Sequence, residues 1–270
     1  KESNFKNKFF IVKHNAEPFM TLKARLPIIY TNYLAEFISR PCQKIICISN
    51  AVKEYWSNYI QIKKLKTIYY GLSQERIDYY KSYFFSNDNK KFNFLFVGRL
   101  VPQKNIFKLL EAFHFLIKEN REGFFGREII LDILGDGYLK KEINKYINKY
   151  NLENHIFLHG YKKDIRPYLN ASDCLIHVAK YEGLGLILLE AMASSKAIIT
   201  SNTSAMMEIV KDNVTGKLCN PNSSRDIAAK MKLLLINNKH LEYAENGYKR
   251  LIKKFHIDKQ VRIFEKTINS

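Results

Sequence analysis

The sequence predicts an α/β protein built on parallel sheets with crossover helices, and three observations carry that reading. From residue 92 onward, short β-rich apolar runs alternate with amphipathic segments, the pattern of strands joined through helices. Three further β-rich runs precede a polar tract, "SNDNKK" at 86–91, which reads as a linker between a small sheet and a larger one. A chain of 270 residues that is 46% hydrophobic and 13% aromatic has enough apolar material to bury both.

Taken in order, "FFIVKHN" (9–15), "KIICISN" (44–50) and "KTIYYGLS" (66–73) are the upstream strands. Between the first two, residues 20–41 are mostly helical in pattern but interrupted at Pro27, and "AVKEYW" (51–56) opens a helix with Asn50 as N-cap. Beyond the linker, "FNFLFV" (92–97) is a strand, and Ile106, Leu109, Leu110, Phe113, Leu116 and Ile117 recur at the spacing of one helix face. "EIILDIL" (128–134) leads through "GDG" to a helical 138–150, and "HIFLHG" (155–160) leads to a short helix over 164–172. "CLIHVA" (174–179) is followed by an apolar helix expected to begin near Leu184. "AIIT" (197–200), a helical 205–210 and "GKLC" (216–219) continue the alternation; helical segments at 223–236, 239–254 and 258–269 close it. The expected domains are 1–85, a small sheet with exposed edges and hence part of a larger α/β domain, then the linker 86–91, a second domain over 92–256, and a terminal helix over 257–270.

The 44 basic and 26 acidic residues give a formal net charge of +18, spread along the chain: residues 1–91 hold 16 Lys/Arg against 7 Asp/Glu. No long basic block exists, so a solvated basic surface and attraction to phosphate or an anionic membrane leaflet both stay open. No apolar run approaches the ~20 residues of a bilayer-crossing helix, and "KESNFKNKFF" lacks the apolar centre of a secretory signal. The expectation is a cytoplasmic protein, with the basic excess compatible with the inner face of a membrane. Cys42, Cys47, Cys174 and Cys219 form no CxxC pair and no zinc-type cluster, and read as reduced structural cysteines.

In open α/β sheets ligands bind outside the carboxyl ends of the strands. After the strand 92–97, "GRLVPQKN" supplies Gly98, which permits close backbone approach, and Arg99 and Lys104, two cations at a helix start that already favours anions. Together they are candidates to hold a diphosphate. Gly135 and Gly137 flank Asp136 in what reads as an ordinary turn. After the strand 174–179, "YEGLGLILLEAMA" offers Gly183, Leu184 and Gly185 at a helix start, with Glu182 before it and Glu190 within it. A helix from Leu184 puts Glu190 ~9 Å along the axis at ~1.5 Å per residue. A nucleotide sugar across this terminus would set its diphosphate on the amides, its sugar toward Glu182 and its ribose toward Glu190, since carboxylates accept strongly from hydroxyls. Taken singly, each glutamate reads as a helix-start carboxylate or a surface residue. Their coincidence with Arg99 and Lys104 on a neighbouring strand favours the shared site.

Four segments, "VGRLVPQKNIFKLLEAF", "LDILGDGYLKKEI", "IFLHGYKKDIRPYLNASDCLI" and "YEGLGLILLEAMASSKAIIT", resemble in order and spacing the C-terminal domain of the retaining GT-B glycosyltransferases of family four. The likeness covers about 92–236. It implies a GT-B type fold, with a Rossmann-like parallel-sheet C-terminal domain and a partial Rossmann-like N-terminal domain. It also implies a UDP-sugar or GDP-sugar donor, a glycan or lipid-linked acceptor, retention at the anomeric carbon and a role in cell-surface polysaccharide or lipopolysaccharide synthesis. No metal and no further cofactor are implied. By the same resemblance Arg99 and Lys104 bind the donor diphosphate, Glu182 lies near the transferred sugar, Glu190 binds the ribose and Tyr161 borders the nucleobase. "ICISNAVKEYW", "TIYYGLS" and "IVKHN" resemble the N-terminal domain, and His14 is the matching active-site candidate beside the sugar. The terminal helix resembles one that packs back on the first domain. Departures are Val178-Ala179 for a usual Pro-Ser, Ser195-Lys196-Ala197 for Gly-x-Pro, and Ser204-Ala205 for Gly-Gly. The alternatives are a nonenzymatic nucleotide-sugar-binding remnant and a basic nucleic-acid-binding protein, though no RNP, zinc-finger or helix-turn-helix signature supports the latter.

Overall fold

The computed structural model describes residues 10–13, 37, 42–81, 90–120 and 125–269. Three short parallel strands come first: β1 (Phe10–Lys13), β2 (Lys44–Cys47) and β3 (Leu65–Thr67), side by side in that order. Helix α1 (Asn50–Ser57) follows β2. Its cap is Ser49, not the expected Asn50: Ser49 has the extended backbone of a cap and its hydroxyl accepts from Val52 N at 3.2 Å. Asn50 is the first helical residue, and its side chain instead joins Thr67 and Tyr69 at 2.7 and 2.9 Å. The expected strand 66–73 ends at Thr67, because Leu72 leaves the sheet to pair with His256 and Ser73 starts helix α2 (Gln74–Lys81).

The larger sheet holds β4 (Lys91–Val97), β5 (Glu128–Leu134), β6 (Ile156–Gly160), β7 (Cys174–His177), β8 (Ala197–Ser201) and β9 (Lys217–Cys219), all parallel. Its order, β6-β5-β4-β7-β8-β9, is doubly wound and reverses direction between β4 and β7. A crevice opens outside the carboxyl ends of those two strands, which is where such sheets receive ligands. Helices α3 (Ile106–Asn120), α4 (Lys140–Lys149), α5 (Arg166–Ala171), α6 (Leu186–Ala193), α7 (Met206–Ile209), α8 (Ser224–Asn237) and α9 (His240–Phe255) cover it, and α10 (Ile257–Ile268) ends the chain.

The two faces carry separate cores, as the period-2 alternation of β4 requires. Phe92, Phe94 and Phe96 point to one face, against the fully apolar stripe of α3 and Ile227, Met231 and Leu234 of α8. Leu95 points to the other, among Leu188, Leu189 and Met192 of α6 and Leu251 and Phe255 of α9. That second core runs on without a break into Val52, Trp56, Leu65 and Ile77 of the small sheet. Polar contacts reinforce the junction. The Glu208 carboxylate accepts from Asn50 N at 2.9 Å, Ala51 N at 2.8 Å and the Tyr69 hydroxyl at 2.7 Å, so a residue of α7 completes the amino end of α1. Leu72 exchanges backbone hydrogen bonds with Phe255 and Ile257, both 3.0 Å, and α10 lies along the small sheet with Ile257, Val261 and Phe264 facing Ile46, Ile68 and Tyr70 across an apolar groove.

All four cysteines are buried and none is disulfide-bonded to another, as their spacing suggested. Burial raises the Cys174 thiol pKa well above its ordinary value and lifts that of Cys219 to about 12, so neither is a thiolate at neutral pH. No described helix is long and apolar enough to cross a membrane.

Candidate active site

The loop after β4 is fixed first by packing. Gly135 sits at φ +135, and a Cβ there would lie 1.9 Å from the Gly98 carbonyl oxygen; at Gly137 one would lie 2.4 Å from that of Leu100. Glycine in "GDG" therefore lets the β5 loop press against the β4 loop, a packing role beyond the ordinary turn expected there. Gln103 and Asn105 then tie the β4 loop to the β7 loop: Lys180 N donates to Gln103 O at 2.9 Å, Gln103 to Tyr181 O at 3.1 Å, and Asn105 to Val178 O at 3.1 Å. From the other side the Ser204 hydroxyl donates to Glu182 O at 2.6 Å. Ser204 and Ser195 stand at φ 54 and 52, a left-handed backbone in which glycine is strain-free. Both replace glycines of the resembled pattern.

Helix α6 begins two residues later than expected. Gly185 is at φ +88, which a helix cannot continue through, so the first helical residue is Leu186. Glu190 consequently lies ~6 Å along the axis from the helix start rather than ~9 Å. Because the first amides of a helix lack internal partners, this end presents donors and positive potential to the crevice.

Glu182 is 13% exposed in its side chain and accepts at one oxygen, Oε1, from two donors: the Lys104 ammonium and His177 Nε2, the latter at 3.1 Å. Burial alone would raise its pKa, but the His177 hydrogen bond and the Lys104 charge outweigh burial and hold it at about 2. His177, at the end of β7, is fully buried, and burial lowers its own pKa, so the ring is neutral at pH 7. A carboxylate can only accept, which fixes the proton on Nε2 and leaves Nδ1 as a buried atom without a hydrogen-bond partner. Arg99 is exposed and makes no ion pair with any described residue. On α6 the Glu190 carboxylate is met from the small-sheet side: Arg76 of α2 reaches its Oε1 at 3.1 Å while also donating to the Tyr80 hydroxyl at 3.2 Å.

One cavity of about 440 Å³ is lined by Gly98, Arg99, Lys104, Glu182, Gly183, Leu184, Gly185 and Glu190, together with Ile48 and Tyr70 from the small sheet. The structure thus brings together eight of the ten candidate residues. Tyr161 is 75% exposed beyond β6, two strands away from β4, and does not line this cavity. His14 lies outside the described residues. No group of three or more His, Cys, Asp or Glu among the described residues is arranged to hold a metal ion. Sequence reasoning passed over His177, Arg76 and Tyr80. For Arg76 a signal existed: Ser73 caps α2 by accepting from Arg76 N at 3.2 Å, and Ile77 and Tyr80 are buried at i, i+3 spacing.

A family model described as glycosyl transferases group 1 matches residues 82–250. The chain belongs to this family. It is 32% identical over 233 residues to an uncharacterized glycosyltransferase of Methanocaldococcus jannaschii, covering 85% of this chain and 60% of that protein. It is 30% identical over 176 residues to the poly(ribitol-phosphate) alpha-N-acetylglucosaminyltransferase of Staphylococcus aureus, covering 64% and 34%. The chain therefore spans 60% of the length of the first of these relatives and 34% of the second. Among solved structures, Anabaena Alr3699/HepE in complex with UDP and glucose superposes with a TM-score of 0.78 at 19% identity, over 97% of this chain and 72% of that one. That likeness shows the shared fold, which is of the GT-B type.

Proposed function

We propose that this chain binds a nucleotide sugar in the crevice between β4 and β7 and transfers the sugar to a glycan or lipid-linked acceptor. The observation that carries this reading is the convergence of Arg99, Lys104, the open start of α6 and two carboxylates on one cavity. In this reading residues 92–256 are the donor side and residues 1–85 part of the acceptor side. A relative named for poly(ribitol-phosphate) supports a polymer acceptor, and the same fold holding UDP and glucose supports a UDP-sugar donor over a GDP-sugar. Retention, a place in cell-surface polysaccharide or lipopolysaccharide synthesis, and action at the inner membrane face complete the proposal; the net charge of +18 supports the last.

The chemistry follows from where charge develops. As the bond from the anomeric carbon to the diphosphate breaks, negative charge grows on the leaving oxygen, and Arg99, Lys104 and the amides of Leu186 and Ile187 are the groups able to meet it. Lys104 is held against Glu182 before donor arrives, so the diphosphate finds it already oriented. Glu182 accepts from hydroxyls of the transferred sugar, with His14 beside it, Gly98 and Gly183 to Gly185 allow close approach of phosphate, Glu190 accepts from the ribose and Tyr161 borders the base. Titration calorimetry with UDP-glucose and GDP-mannose tests the site: Arg99→Ala should weaken the better ligand at least tenfold. Unchanged affinity would overturn the assignment.

A further inference from the structure

Glu190 is gripped from outside its own sheet. Arg76, on α2 of the small-sheet side, places a guanidinium nitrogen 3.1 Å from Glu190 Oε1, and the same nitrogen donates to Tyr80 at 3.2 Å. The guanidinium carbon lies 5.3 Å from the Tyr80 ring centroid and 5.9 Å from that of Tyr79. Tyr80 is buried, and burial beside Glu190 raises its pKa, so its hydroxyl stays protonated and available. The helix carrying this grip is itself pinned, since Tyr79 stacks under Arg166 of α5 at 3.8 Å and Ile77 joins the second core. Arg76 is half-exposed while Glu190 is 15% exposed and lines the cavity.

We propose that Arg76 is a positioning residue for the nucleotide's ribose, an inference that rests on the donor-site reading of Glu190. A lone carboxylate's terminal torsion is loosely set. Arg76 fixes the carboxylate plane, while a carboxylate keeps further lone-pair sites for vicinal hydroxyls. The donor is thereby read by an acceptor from one part of the chain and a cation from the other.

The test is a ligand-by-protein cycle in titration calorimetry on the full chain, using UDP and GDP and their 2′-deoxy and 3′-deoxy forms. The wild type should prefer the ribonucleotide by about tenfold, in line with a charge-assisted hydrogen bond. Arg76→Ala should shrink that preference to within about twofold while holding the deoxynucleotide affinity within about threefold. Arg76→Lys, which keeps charge but loses the planar fork, should fall between. Equal weakening of ribo and deoxy ligands by Arg76→Ala, or no change in either, would overturn the inference. Glu190→Ala separates the two claims: if it too leaves the preference intact, or if no nucleotide binds the wild type, the donor-site reading fails and the inference with it.

Discussion

Glu182→Gln turns the ion-paired cluster in the cavity wall into a measurable quantity, because glutamine resembles a glutamic acid that never loses its proton. The folded-state pKa of Glu182 is depressed from an ordinary 4.5 to about 2. At ~1.4 kcal/mol for each tenfold in proton affinity, the ionised carboxylate contributes about 3 kcal/mol to stability. The side chain is only 13% exposed, so solvent screening takes little from that figure. With the folded pKa below the unfolded one, the contribution is complete above pH 4.5 and is lost as pH falls toward 2; roughly 1.5 kcal/mol remains at pH 3. Urea unfolding of wild type and Glu182→Gln should therefore differ by about 3 kcal/mol at pH 7, with the gap closing below about pH 5. Burial lowers the His177 pKa and the Glu182 carboxylate partly offsets that, so below about pH 6.5 Glu182→Gln loses more His177 stabilisation than wild type does, which widens the gap there before the carboxylate's own titration closes it. A gap that is flat between pH 7 and 3, or under about 1 kcal/mol at pH 7, would refute the view that His177 and Lys104 hold this carboxylate ionised.

Two further substitutions probe how the site is held. Gly135→Ala forces a Cβ into the Gly98 carbonyl at a left-handed φ, so the β4 loop must shift; nucleotide affinity should drop at least tenfold and stability by about 2 kcal/mol or more, read by calorimetry and thermal melting. Glu208→Ala strips the amino end of α1 of its acceptor for two amides and frees the Tyr69 hydroxyl; at ~1.5–3 kcal/mol per hydrogen bond to a charged group, with water recovering part at exposed Asn50, the loss should be about 2–4 kcal/mol. Amide hydrogen exchange at Asn50 and Ala51 should accelerate in step.

The parts of this fold legible in the sequence are those with a local period. β4 and α3 announced themselves because Phe92, Phe94 and Phe96 alternate and Leu109, Leu110, Phe113 and Leu116 follow the helical repeat, and both sets are buried as spaced. Cap positions were harder, since Ser49 and Asn50 are both good caps and only backbone geometry chooses between them. The start of α6 slipped by two residues because a sequence does not say which of Gly183 and Gly185 takes the left-handed conformation. What no local pattern contained is the set of contacts across the two sheets. Glu208 reaches the amino end of α1 over 158 positions, and Arg76 reaches Glu190 over 114.

Those long-range contacts change the meaning of the two glutamates. Spacing alone set them at opposite ends of one expected donor, Glu182 toward its sugar and Glu190 toward its ribose. In the folded chain they are unlike: Glu182 is held by a neutral histidine and a lysine from its own sheet, while Glu190, about equally buried, is held by an arginine from the small-sheet side. Each carboxylate is thus charge-compensated by a cation of the chain itself. The compensation differs in its dependence on geometry. Lys104 and Glu182 stay together however the small sheet moves, because both belong to loops of one sheet braced by Gln103 and Asn105. The Arg76–Glu190 contact exists only while α2 rests on α6, so the ribose end proposed for the site is complete only when the two parts of the chain are in register.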